Sequence, residues 1–168
     1  MNENAQTPMK GAVRDAMNEQ IKHEFYSAYL YLSMAGSFET ANLPGFARWM
    51  RKQSEEEREH AMKLFDFLLD RGEQVQLLPI DQPPSAFRSP LDTFEQALEH
   101  EKEITSRIHR LYEFAVQESD YPAQVLLHWF VEEQVEEEMA ATEVVERLKL
   151  AGEDGAALLL VDKELGER

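Results

Sequence analysis

Seven glycines and seven prolines gather between long stretches rich in Ala, Leu, Glu, Met and Arg in this 168-residue chain. Those stretches have the composition of helices, so the breakers decide where the chain turns. They predict four long helices and a short fifth over residues of about 9–37, 44–71, 90–118, 122–151 and 155–165. The second follows Asn42, Leu43 and Pro44 and stops at Arg71 and Gly72, a C-terminal glycine stop. The third opens after Ser89, with Pro90 at its first position and Asp92 as a short capping partner. Ser119, Asp120 and Pro122 separate it from the fourth, which ends near Gly152.

The connections from first to second and from third to fourth helix are short and imply antiparallel neighbours. Residues 73–89 differ: they carry Pro79, Pro83 and Pro84 and form no helix pattern. Extended at ~3.3 Å per residue they reach over about 50 Å, against about 42 Å for a helix of roughly 28 residues. This crossover can return the chain along the full bundle, making the second and third helices parallel. An all-α four-helix bundle with one long crossover and a short C-terminal helix, in a single domain over residues 1–168, is therefore expected.

A mass of 19.5 kDa with 43% hydrophobic residues is enough for one buried core. The balance of 17 basic to 33 acidic residues, a net charge of -16, disfavours nucleic acid and anionic membrane surfaces and attracts cations. Without cysteine there is no disulfide, thiolate nucleophile or ordinary iron–sulfur ligation, so any metal is held by oxygen and imidazole. The polar start, Met1 to Met9, has no apolar leader pattern, and no stretch has the length of a membrane span; a cytoplasmic location is the expectation.

Apolar residues recur at helical spacing along each long segment, and polar ones interrupt them. The stripes are Met17, Ile21, Ala28, Tyr31 and Ala35; Phe46, Trp49, Met50, Gln53, Glu57, His60, Leu64 and Phe67; Phe94, Leu98, Glu101, Ile104, Ile108 and Leu111; and Leu127, Phe130, Gln134, Glu137, Ala141, Val144 and Leu148. Glu24 falls within the first of them. With alternating helix directions and the crossover, Glu24, Glu57, Glu101 and Glu137 lie about 10 to 13 residues from one common end, a spread of roughly 5 Å. Four carboxylates in one buried layer must protonate or gain positive charge, and no stripe supplies an Arg or Lys. Two divalent or trivalent cations would supply it. His60 follows Glu57 by three residues, placing imidazole and carboxylate on one face. Hard oxygen ligands with one nitrogen suit iron or manganese; zinc would also fit, without redox chemistry.

These residues resemble the bacterial non-haem ferritins, and the likeness extends along nearly the whole chain. The segments that carry it are NEQIKHEFYSAY from Asn18, EEEREHAMKLFDFLLDRG from Glu55, Asp120 to Pro122, HWFVEEQVEEE from His128 and the closing VDKEL. The resemblance implies iron storage with ferroxidase activity. It places Glu24, Glu57 and His60 at a first iron, with Glu57 bridging to a second held by Glu101 and Glu137, and Gln134 beside it. A third iron position falls on Glu56, Glu133 and Glu136, with Glu137 shared. Tyr31 and Trp129 occupy the aromatic places next to the two-iron centre. The remaining histidines, His23, His100, His109 and His128, are read as structural or exposed.

Related proteins with a second E-x-x-H motif on the fourth helix differ here, where Gln134 and Glu137 stand, so the second iron position has no histidine. Arg58 occupies the position of the bacterioferritin haem methionine, and no haem is expected there. The implied partners are Fe(II) with dioxygen or hydrogen peroxide and further copies of the chain in a twenty-four-subunit cage. The apolar run Ala156, Ala157, Leu158, Leu159, Leu160 and Val161 is expected to pack against symmetry mates, with folding onto its own bundle as the alternative. Two rival functions stay open at this point: a peroxide-reducing two-iron oxidoreductase without storage, and a structural assembly whose glutamates bind no redox metal.

Overall fold

The computed structural model describes residues 8–167; residues 1–7, most of the polar start read above, lie outside them. Five helices follow in order: α1 Gly11–Thr40, α2 Pro44–Asp70, α3 Pro90–Gln117, α4 Tyr121–Ala151 and α5 Gly155–Leu165, with no strand among the described residues. α1 is displaced by two residues at its start and three at its end from the expected span. It continues to Thr40, and the turn that follows is made at Asn42, at φ 59. Asparagine tolerates that left-handed conformation better than most side chains.

The stops and starts follow from identifiable groups. Gly72 adopts φ 74 after α2, and the next amide, on Glu73, donates to the Leu68 carbonyl at 2.9 Å. Ser89 Oγ accepts from the Asp92 amide at 3.1 Å, while the Asp92 carboxylate turns back to Arg88 at 2.7 Å. Asp120 accepts from the Ala123 amide at 3.1 Å and from Arg71 Nη1 at 2.8 Å, joining the start of α4 to the end of α2.

The crossover runs alongside α1. The Gln76 amide donates to Asn18 Oδ1 at 2.8 Å near one end of α1, and Ser33 Oγ donates to the Pro84 carbonyl at 2.6 Å near the other. The chain thus travels from end to end of the bundle, and α2 and α3 run parallel.

Two apolar clusters fill the ends. One joins Phe38, Phe46, Trp49 and Phe94 with Val144 and Leu148; the other joins Met17, Ile21, Leu64, Leu68, Ile104, Ile108, Leu127 and Phe130. Burying each such side chain stabilises the fold by about 1.5–3 kcal/mol. Between the clusters the buried residues are polar: Glu24, Ser27, Gln53, Glu57, His60, Glu101, Gln134 and Glu137. Three stripe positions differ from expectation, since Ala28, Phe67 and Leu98 are half-buried. Ser27 takes the inner place beside Ala28, because its hydroxyl bonds the His23 carbonyl at 3.0 Å and reaches the His100 ring at 2.7 Å.

The short α5 lies on the chain's own bundle, where Val161, Asp162 and Leu165 are buried, while Leu159 and Leu160 stay exposed. Asp162 Oδ1 accepts from the Phe46 amide at 2.8 Å. Leu43, at the N-cap of α2, offers no capping side chain, so α5 supplies from a distance the acceptor that a Ser or Asp would give locally. Gly45 permits the approach, because a Cβ there would overlap the Asp162 backbone.

Candidate metal centre

Each long helix brings candidate ligands to one layer at the bundle waist. α1 contributes Glu24, α2 contributes Glu57 and His60 one turn apart, α3 contributes Glu101, and α4 contributes Glu133, Gln134 and Glu137. Three ligand groups result, each with candidate atoms within 4.8 Å of one another: Glu24, Glu57 and His60; Glu57, Glu101 and Glu137; and His60, Glu133 and Glu137. Glu57 is common to the first two.

His60 lies at the hinge between groups. Its Nδ1 is 3.4 Å from Glu57 Oε2 and 3.9 Å from Glu24 Oε2, and its Nε2 is 3.9 Å from Glu133 Oε1. Burial alone would lower the His60 pKa, but the hydrogen bond and charge of Glu57, with Glu24 beside it, raise it to about 9. Burial and the adjacent Glu57 push Glu24 up to about 8 and Glu137 up to about 7. Burial likewise raises Glu101 well above the usual carboxylate range, again with Glu57 as the nearest like charge. No Lys or Arg is buried among the described residues.

Neutral donors do part of the work a cation would do. Gln20 Nε2 donates to Glu24 Oε1 at 2.7 Å, Gln53 Nε2 donates to both Glu57 Oε1 at 2.9 Å and Glu137 Oε2 at 2.6 Å, and Gln134 Nε2 donates to Glu101 Oε2 at 3.2 Å. Glu24 Oε2 is the one buried side-chain oxygen or nitrogen among the described residues without a hydrogen-bond partner. A buried carboxylate oxygen facing an imidazole and a second carboxylate, with nothing to satisfy it, fits a metal ion.

Tyr31 is buried, donates its hydroxyl to Glu101 Oε1, and meets Trp49 and His100 edge-on at 6.5 Å. Burial and then the Glu101 charge raise its pKa well above the ordinary phenol value. Trp129 packs edge-on against His60 at 5.4 Å, and Lys63 Nζ sits 4.3 Å over its ring. Glu133 joins His60 and Glu137, whereas Glu56 and Glu136 fall outside the three groups. Glu56 is half-buried, 4.0 Å from Lys52, and Glu136 is exposed.

Sequence reasoning placed Gln53 on the buried stripe without a role and passed over Gln20. The signal was present: both precede a layer glutamate by four residues, the spacing at which helical side chains meet. Lys63, three residues beyond His60, was also missed; an exposed lysine beside an acidic run gives no signal of its own.

Fold and waist together define a class: four-helix bundles with one long crossover, whose interior layer is lined by carboxylates and a histidine. Comparison with known proteins narrows it. Residues 14–151 match the ferritin family, described as a ferritin-like domain. A bacterial non-heme ferritin of Bacteroides fragilis is 40% identical over 156 residues, covering 93% of this chain and 97% of the relative. One of Staphylococcus saprophyticus is 40% identical over 154 residues, covering 92% of each. Among solved structures, an open pore ferritin from the archaeon Archaeoglobus fulgidus superposes with a TM-score of 0.94 at 51% identity, covering 95% of this chain and 98% of that one. The chain belongs to the ferritin family, whose members store iron.

Proposed function

We propose that this protein is a ferroxidase that oxidises Fe(II) at the waist of each bundle and stores the ferric product inside a cage of twenty-four copies. The observation that carries the reading is the sharing of Glu57 between two ligand groups, one completed by Glu24 of α1 and His60 of α2, the other by Glu101 of α3 and Glu137 of α4, all buried. One ion takes Glu24, Glu57 and His60; a second takes Glu57, Glu101 and Glu137, with Gln134 alongside. Two Fe(II) ions give one electron each, and dioxygen or hydrogen peroxide takes the pair, ending as peroxide or water. Carboxylates bind the harder Fe(III) more strongly than Fe(II), so the ligand set itself favours oxidation.

The chain's own residues manage the protons. Glu24 and Glu137 hold protons near neutrality because burial disfavours their charge, and an arriving ion displaces them. Tyr31 orients Glu101 through its hydroxyl and lies where an aromatic electron donor would serve. Glu133, near Glu137, is the inner carboxylate of a third iron position, and Glu56 and Glu136 are the further carboxylates that the family resemblance assigns to it. Storage needs an enclosed volume that one bundle lacks, and the exposed Leu159 and Leu160 of α5 are suited to contacts between copies. No helix among the described residues is long and apolar enough to cross a membrane, in keeping with a cytoplasmic site of action.

The test compares initial Fe(II) oxidation at two ions per subunit in the wild type and in Glu57→Ala. The variant loses on the order of 100-fold in rate, as removal of a ligand to both ions requires; equal rates would remove the waist from the mechanism.

A further inference from the structure

We infer that Gln53 is a positioning residue for the second iron position, its side-chain amide spanning Glu57 and Glu137 and holding them as a ligand pair. The inference rests on the two-ion reading above. Gln53 is fully buried and lies one turn before Glu57 on α2, and Glu137 comes from α4. Its Nε2 stands 2.9 Å from Glu57 Oε1 and 2.6 Å from Glu137 Oε2. A primary amide has two N–H donors and no charge, so one side chain can satisfy two carboxylates that would otherwise repel each other.

The division of labour between the two glutamines is specific. Gln20 donates to Glu24 alone, on the first-ion side. Gln53 links the bridging carboxylate to Glu137, which belongs to the second ligand group and not to the first. Without its donors, Glu57 and Glu137 would turn apart or take up protons, and the second ion would have to reassemble its ligands on arrival. Groups that hold metal ligands from behind change affinity by about 10–100-fold when removed.

The test titrates metal-stripped protein with Co(II) in the absence of oxidant, following the visible absorption of bound cobalt and the heat of binding. Gln53→Met keeps the length and bulk of the side chain but has no donor. The wild type takes two Co(II) per subunit. Gln53→Met weakens the second by about 10–100-fold and the first, which shares only Glu57 with it, by less, whereas Gln20→Met weakens the first alone. Gln53→Asn, which keeps a donor too short to span both carboxylates, shows the same selective loss and serves if the methionine variant does not fold. Unchanged binding in the Gln53 variants overturns the inference. So does equal weakening of both ions, which would make Gln53 a packing residue. A wild type that binds fewer than two Co(II) sinks the two-ion reading itself, and does so before any substitution is made.

Discussion

Where Phe38, Phe46 and Phe94 meet, the ring centroids lie 5.1 to 5.8 Å apart and all three rings are buried. Midway along the same bundle, Glu24, Glu57, Glu101 and Glu137 occupy an interior just as closed to water. The first arrangement lowers the free energy of the fold by removing apolar surface from water. The second raises it, because burial disfavours every charge it holds and the amides of Gln20, Gln53 and Gln134 offset only part of that cost. The ends therefore carry the stability that offsets the polar waist, an arrangement expected where a layer serves a function other than folding.

The largest effect that can break this contrast is at an end. Phe94→Ala leaves a hole among three aromatic rings and costs about 3–5 kcal/mol of unfolding free energy, with or without metal present. Chemical denaturation in chelator and in excess zinc checks it; a loss confined to the metal-free protein would mean that the end depends on the waist.

A somewhat smaller and conditional effect comes from the waist. Glu24, Glu137 and His60 all have raised pKa values in the folded state, to about 8, 7 and 9. Folded protein then holds protons that the unfolded chain has released, so the stability these groups contribute is full below their unfolded values. For the carboxylates it drains away as pH rises from about 4.5 through 7 and 8, and for His60 from about 6.5 to 9. The melting temperature of metal-free protein accordingly falls between pH 5 and 9. Zinc at about 100 times its dissociation constant adds roughly 2.7 kcal/mol per site. Because zinc competes with those protons, it adds more at high pH and flattens the fall. Parallel melting curves with and without zinc would show that the waist carboxylates are not its ligands.

The smallest effect separates both regions from the α5 contact. Asp162→Ala removes the acceptor for the Phe46 amide and costs about 1 kcal/mol, the worth of a helix cap. Initial Fe(II) oxidation stays at the wild-type rate, since Asp162 meets the start of α2 and not the ligand layer. A rate loss comparable to that of Glu57→Ala would show the end and the waist to be coupled.

Much of this was legible without coordinates. Breaker positions gave four of the five helices to within a residue at either end, while α1 starts two residues later and ends three residues later than expected, with the reversal at Asn42. Periodicity with a common depth brought out Glu24, Glu57, His60, Glu101 and Glu137, because a carboxylate on an apolar stripe is conspicuous against its neighbours. Gln20 and Gln53 were not, since an uncharged amide at such a position has no single demand on its surroundings. The pairing of Asp162 with Phe46 spans 116 residues and has no local pattern at all.

What the sequence by itself determined is therefore whatever a helix can express within a few turns: where it begins and ends, which face is buried, and which polar residues interrupt that face. Only the tertiary structure decided which carboxylates share an amide, which oxygen of Glu24 has no hydrogen-bond partner, that His60 faces Glu133 as well as Glu57, and that α5 caps α2. These depend on distances between helices, set by the packing of side chains from both ends of the bundle at once, and no window along one chain contains that information.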